Sequence, residues 1–150
     1  MEDKANNQPK QYVVFKLGKE DYGLDIHKVT TIEKILPITR VPKSPNFIAG
    51  VINLRGEIVP IMDLSKRFNL AAVQETDEAR IVIMKVGEDS LGIIVDEVDD
   101  VLALNQEDIE NVANYSSELS MNYVLGVGKV DDRIITLLNI SKLSEINDSD

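Results

Sequence analysis

One sequence unit occurs twice in this chain, and a chain made of two copies of one unit has few ways to fold. Residues 13–32 (VVFKLGKEDYGLDIHKVTTI) and 82–101 (VIMKVGEDSLGIIVDEVDDV) align without a gap. Lys16/Lys85, Gly18/Gly87, Gly23/Gly92 and Val29/Val98 are identical. Apolar positions match in kind from Val13/Val82, Val14/Ile83, Phe15/Met84 and Leu17/Val86 through Tyr22/Leu91, Leu24/Ile93, Ile26/Val95 and Ile32/Val101. A second block follows each first one: 50–66 (GVINLRGEIVPIMDLSK) aligns with 126–142 (GVGKVDDRIITLLNISK), sharing Gly50/Gly126, Val51/Val127, Ile58/Ile134, Ser65/Ser141 and Lys66/Lys142. Alternation alone can align two β-rich stretches. Two blocks in one order with their glycines in register point instead to duplication, which sets the fold before any local reading does.

At 150 residues, each copy is too short to build a large core of its own, so the two copies are expected to share or abut one. Apolar content of 43% suits a packed interior. There is no cysteine, which excludes disulfides and cysteine-based zinc sites or nucleophiles. No apolar run nears the roughly 20 residues of a membrane helix. The N-terminal MEDKANNQPKQ lacks the apolar stretch of a secretory signal, so a cytoplasmic chain is expected. The net charge of −10 is uneven: residues 1–70 carry 11 Lys/Arg against 8 Asp/Glu, and residues 71–150 carry 5 against 18. An acidic second half argues against a nucleic-acid partner.

Tyr12–Leu17, a turn at Lys19–Asp21 and Tyr22–Ile26 spell a hairpin, repeated as Arg80–Val86, Gly87–Ser90 and Leu91–Val95. Ile32–Ile38 is apolar and β-branched. Ser44 followed by Pro45 has the pattern of one capped helical turn. Gly50–Leu54 and Glu57–Leu64 form a hairpin around Arg55-Gly56, with Pro60 marking an edge position or a bulge. Ser65–Leu70 and Gln106–Glu110 suggest helical turns, and 111–122 is a loop that sets the second copy's blocks further apart. The expected fold is all-β: two small barrels of about five strands each, packed together, with short helical turns. Repeat 1 spans about 12–70 and repeat 2 about 80–143 of one domain, with flexible ends at 1–11 and 144–150.

Little in the chain resembles an active site. His27 is the sole histidine, so neither a Ser-His-Asp triad nor a two-histidine metal site can be built. A small metal-binding or hydrolytic barrel using Asp25, His27 and Asp63 is the alternative from another functional class. Asp96–Asp100 interleaves carboxylates with Val95, Val98 and Val101, the pattern of a solvated face over an apolar one. The most informative divergence between copies is Asn53-Leu54-Arg55-Gly56 against Lys129-Val130-Asp131-Asp132. An arginine at a hairpin tip beside a leucine presents a planar cation suited to gripping carboxylates, although a local surface ion pair explains it equally well.

The run from Gly50 to Leu64, preceded by Val41-Pro42 and Phe47-Ile48 and flanked by Tyr22–Ile26 and Leu91–Val98, resembles the hallmark of CheW-type chemotaxis adaptors. The resemblance covers about 12–143. It implies two intertwined SH3-like β-barrels of about five strands each, and a non-enzymatic adaptor without cofactor or metal, joining the cytoplasmic tips of methyl-accepting chemoreceptors to the regulatory domain of a CheA histidine kinase. It implies no membrane insertion of its own, only recruitment to receptor clusters. By the same resemblance a receptor helix lies between the barrels on Val29, Ile32, Val98 and Val101, with Thr31 and Asn53, Leu54, Arg55 and Gly56 at its edge. Ile58 faces one kinase domain, and Glu110 and Tyr115 face the next. Family members often carry an acidic residue where this chain has Thr31, which raises the question of whether Glu33 takes its place.

Overall fold

The structure is a computed structural model that describes residues 8–70, 76–111 and 123–143. The first repeat runs β1 (Lys10–Leu17), β2 (Glu20–Asp25), β3 (Val29–Lys34), β4 (Ile48–Leu54) and β5 (Glu57–Asp63), then the one-turn helix α1 (Leu64–Arg67). The second runs β6 (Arg80–Val86), β7 (Asp89–Val95), β8 (Glu97–Leu104), the two-residue β9 (Ile109–Glu110), β10 (Val124–Val130), β11 (Arg133–Leu138) and α2 (Ile140–Leu143). The strands form two sheets, ordered β3-β6-β7-β5-β4 and β8-β1-β2-β11-β10-β9. These make two SH3-like barrels.

Each repeat therefore gives its first hairpin to the other repeat's sheet. The sequence bounds 12–70 and 80–143 mark the repeats but not the sheets, because each sheet is drawn from both. The exchange works because the hairpins are equivalent. Gly23 of β2 lies beside Leu137 of β11 in a parallel pair, and Gly92 of β7 lies beside Ile61 of β5 in the matching one. At both glycines a Cβ would press on the barrel's aliphatic filling, 3.0 Å from Leu137 Cδ2 at Gly23 and 2.6 Å from Ile61 Cδ1 at Gly92. The shared Gly23/Gly92 of the repeat is thus a packing requirement. It lets one strand cross close over another's side chains.

The exchange also explains why β1 and β6 are apolar in runs. Tyr12 and Val14 of β1 join Leu104, Ile135 and Leu137 inside one barrel. Ile81 and Ile83 of β6 join Ile52, Val59 and Ile61 inside the other. Alternate residues of the same strands, Phe15 and Leu17 with Val82 and Met84, face a third cluster with Tyr22, Leu24, Met62, Leu64 and Leu138. Strands buried on both faces lose the polar alternation of a half-exposed sheet. Full burial of side chains such as Phe15 and Met84 contributes about 1.5–3 kcal/mol each, and this third cluster joins the two repeats.

Local expectations diverge in four places. Lys10 and Gln11 are not frayed; they pair with Leu104 and Ala103 at the start of β1. The third strand begins at Val29 and ends at Lys34, earlier than the Ile32–Ile38 run suggests. Ser44 caps no helix, since its Oγ donates to Val41 O at 2.9 Å within a turn. Pro60 sits neither at an edge nor at a bulge, but within β5, which lies between β4 and β7. It is tolerated because its partner Val51 sends both backbone groups to Thr39 (2.8 and 2.9 Å), and the β5–β7 ladder begins only at Ile61. The missing N–H thus falls where no ladder bond is needed.

Candidate functional site

The β4–β5 hairpin turns through Arg55 and Gly56, both at positive φ (53° and 90°). Two such residues in a two-residue loop match the right-handed twist of the strands. Asn53 Oδ1 accepts the Gly56 N–H at 2.8 Å and fixes the turn from inside. For arginine the left-handed conformation costs on the order of 1 kcal/mol, a cost that Asn or Gly would largely avoid. Leu54 packs inward against the barrel filling. The guanidinium of Arg55 is left 73% exposed, with Nη2 3.5 Å from Glu33 Oε2.

Glu33 lies two residues after Thr31 on β3 and reaches Arg55. On β3 the two residues share one half-buried face with Val29, while Thr30, Ile32 and Lys34 face out. Thr31 Oγ1 donates to Glu33 Oε2 at 3.1 Å, so the carboxylate that meets Arg55 is oriented by the hydroxyl two residues before it. Thr31, Glu33 and Arg55 thus form one cluster. In this chain the carboxylate facing Arg55 comes from position 33.

The other expected site residues fall into three groups. Val29 pairs with Met84 and Val98 with Phe15, equivalent positions in the two copies, and both pack against the cluster between the barrels. Ile32 and Val101, also equivalent, are exposed at 39% and 46%. Ile58, opposite Asn53, is 61% exposed. Glu110 lies in β9 against Val127, with Oε2 3.0 Å from Lys129 Nζ. Tyr115 lies outside the described residues.

Ile134 is not singled out by the sequence reading, yet it is 63% exposed and is the repeat partner of Ile58. The identical pair Ile58/Ile134 in the aligned blocks carries that signal, because a buried role and a presented role leave the same isoleucine. Leu125, on β10 of the same hairpin, is 55% exposed.

A cation site does not assemble. Asp25 Oδ1 accepts the His27 backbone N–H at 2.9 Å and lies 3.3 Å from His27 Nδ1. Asp63 caps α1 by accepting the Lys66 N–H at 3.3 Å and belongs to the other sheet. Among the described residues no three His, Asp or Glu side chains gather as ligands. Burial and the hydrogen bond to Glu20 push the Tyr22 phenol above its usual range, leaving it a donor and no base.

Residues 11–147 match the CheW-like domain family. The chain belongs to that family. It is 38% identical to the chemotaxis protein CheW of Klebsiella aerogenes over 133 residues, covering 89% of this chain and 80% of the relative. Against the chemotaxis protein CheW of Treponema pallidum it is 37% identical over 143 residues, covering 93% and 84%. Among solved structures, the crystal structure of the scaffolding protein TtCheW from Thermoanaerobacter tengcongensis superposes with a TM-score of 0.86 at 38% identity, covering 93% and 94%. CheW-like membership makes the chain a scaffold or adaptor of chemotaxis signalling. The metal-binding or hydrolytic reading has no support. No helix among the described residues is long and apolar enough to cross a membrane.

Proposed function

We propose that this CheW-like chain links the cytoplasmic tips of methyl-accepting chemoreceptors to the regulatory domain of a CheA-type histidine kinase, acting by binding alone at membrane receptor clusters. The observation that carries this reading is the Arg55 turn: a strained residue whose charge is held largely in solvent, with the oriented Glu33 carboxylate beside it. Strain kept at an exposed residue is a mark of function more than of stability. The receptor helix is assigned to Val29, Ile32, Val98 and Val101, with Thr31, Asn53, Leu54, Arg55 and Gly56 at its edge. Exposed Ile32 and Val101 supply apolar contacts, and Arg55 supplies the charge that selects the register.

Ile58 is assigned to one kinase domain, and Glu110 with Tyr115 to the next. Ile134, matching Ile58 on the other barrel, joins the second end in this reading. Two ends of one duplicated scaffold allow a chain or ring in which each adaptor touches two neighbours. Signal transfer then requires that receptor and kinase contacts favour the same state of the assembly.

The test uses the purified chain, a receptor-tip fragment and a CheA regulatory domain. Arg55→Glu is expected to stay folded, to weaken receptor-tip binding by about a hundredfold as hot-spot charge reversals do, and to leave kinase binding intact. Ile58→Glu is expected to do the reverse. A folded Arg55→Glu protein that binds receptor tips like the parent would remove that hairpin from the receptor site.

A further inference from the structure

Between the third and fourth strands, the chain forms a second feature unlike its repeat partner. Arg40, Val41, Pro42, Lys43, Ser44, Pro45 and Asn46, with Ile48 and Ala49 of β4 and Lys66 of α1, wall an open pocket of about 550 Å³. Among the described residues no carboxylate lines it, although the chain carries a net charge of −10. Among the described residues Arg40, Lys43 and Lys66 form no ion pair, whereas Lys10, Lys16, Arg55, Lys129 and Arg133 each do. Residues 111–123, the matching stretch of the second repeat, contain no Lys or Arg at all. The loop cations Arg40 and Lys43 therefore have no counterpart in the second copy's sequence.

The wall of the pocket is pre-organised. Thr39 and Val51 exchange two backbone hydrogen bonds at one side, Ile48 N donates to Pro45 O at 3.0 Å, and Asp63 N donates to Phe47 O at 2.7 Å at the other. Lys43 turns the loop at φ 66°. Cations on a loop already held in place lose less freedom on binding. The ligand chemistry follows from the lining. Pro42 and Pro45 remove two N–H groups, so the loop is poor in the backbone donors that cradle a phosphate. Val41 lies between Arg40 and Lys43, and Ile48 and Ala49 form the β4 wall, adding apolar surface for aliphatic side chains. We propose that this pocket binds an extended acidic peptide segment of a protein partner, with carboxylates on Arg40, Lys43 and Lys66 and apolar residues between them. It lies some 13 Å along β4 from Asn53, taking four residues at the usual strand rise. It is thus separate from the Arg55 and Ile58 surfaces, and the inference does not depend on what those bind.

The probe is a fluorescent peptide of repeated Glu-Leu-Asp units, titrated into the full chain and followed by anisotropy. Because the protein is itself acidic, its net charge of −10 repels an acidic peptide, so a binding signal reports a local site. Binding is expected to weaken with salt and to fall about tenfold in Arg40→Gln/Lys43→Gln/Lys66→Gln, three exposed charge contacts being lost together. The control Lys28→Gln/Lys34→Gln/Lys85→Gln makes the same change in net charge and is expected to bind like the parent, with unfolding midpoints confirming that both variants fold. Equal loss in the two triple variants, or no binding by the parent, overturns the proposal. Tighter binding of tripolyphosphate than of the peptide, lost in the pocket variant, would overturn it in favour of a phosphate ligand.

Discussion

The two barrels follow one strand plan and are finished differently. In the barrel holding β1 and β2, Arg133 Nη2 lies 3.3 Å from Asp21 Oδ2 and 3.0 Å from Asp99 Oδ2, while Lys16 Nζ lies 3.0 Å from Asp21 Oδ1. These four residues come from β1, β2, β8 and β11, so the cluster ties the exchanged hairpin to its host. The matching positions of the other barrel hold Lys85, Ser90, Thr30 and Glu57, and among the described residues none of these forms an ion pair. There the arginine has moved to the hairpin tip as Arg55, exposed, with Glu33 beside it. One barrel turns its arginine onto itself. Its twin turns one outward and also carries Arg40, Lys43 and Lys66, which form no ion pair among the described residues. Duplication supplies the scaffold, and the copies divide the work through where their cations go.

The largest test of this comparison concerns the straps that close each barrel. Thr39 bridges Val51, and Glu110 pairs with Val127, so Gly50 and Gly126 lie under equivalent carbonyls. At Gly50 (φ 148°) a Cβ would overlap Thr39 O, which accepts from Val51 N while Thr39 N donates to Val51 O, so the residue is held at both backbone groups. At Gly126 the matching contact is looser, 2.9 Å from Glu110 O. Gly50→Ala is expected to cost about 3 kcal/mol or more and Gly126→Ala about 1–2 kcal/mol, read from urea unfolding midpoints. Equal costs would mean that the first barrel's strap is no firmer than the second's, which undercuts the pre-organised loop.

How much of this was legible beforehand can be judged residue by residue. The duplication, the all-β fold, the hairpins and the Arg55 turn follow from local pattern, since strand alternation and turn glycines act over a few residues. The identical pair Gly23/Gly92 was visible, but its reason was not, because the parallel crossing over Leu137 and Ile61 joins residues far apart in sequence. The hairpin exchange hides in the same way: interchangeable hairpins carry no local mark of which host they join. Thr31 pointed to a missing carboxylate, and the strand's period of two placed Glu33 on its face, but only the hairpin geometry brought Arg55 to it. The basic pocket was scattered over Arg40, Lys43 and Lys66, and no spacing rule links α1 to the loop before β4.

A smaller effect is expected where the charge cluster is cut. Arg133→Met removes the cation shared by Asp99 and Asp21, leaving Asp21, only 14% exposed, with Lys16 alone. With Arg133 one-third exposed, screening limits the loss to about 1–2 kcal/mol, diminishing at high salt. Glu57→Met, at the matching position, is expected to fall within about 0.5 kcal/mol of the parent. If the two substitutions cost the same in thermal unfolding, the cluster is ornamental and the asymmetry between barrels lies elsewhere.

The finest distinction is whether Arg55 stays for stability or for binding. Arg55→Asn keeps the loop length and the Asn53–Gly56 bond, and Asn followed by Gly is a preferred pair for two positive φ angles. The substitution relieves a left-handed arginine and loses one exposed contact to Glu33, worth at most a few tenths of a kcal/mol. The balance is a gain of about 0.5 kcal/mol, visible as a small rise in unfolding midpoint. Receptor-tip binding is expected to fall in the same protein, since no cation remains at the turn. Stability and binding moving in opposite directions would place the strain of Arg55 in the service of a partner. A loss of more than about 1 kcal/mol would instead make the Arg55–Glu33 contact a structural tie, giving this barrel the same inward use of arginine as its twin.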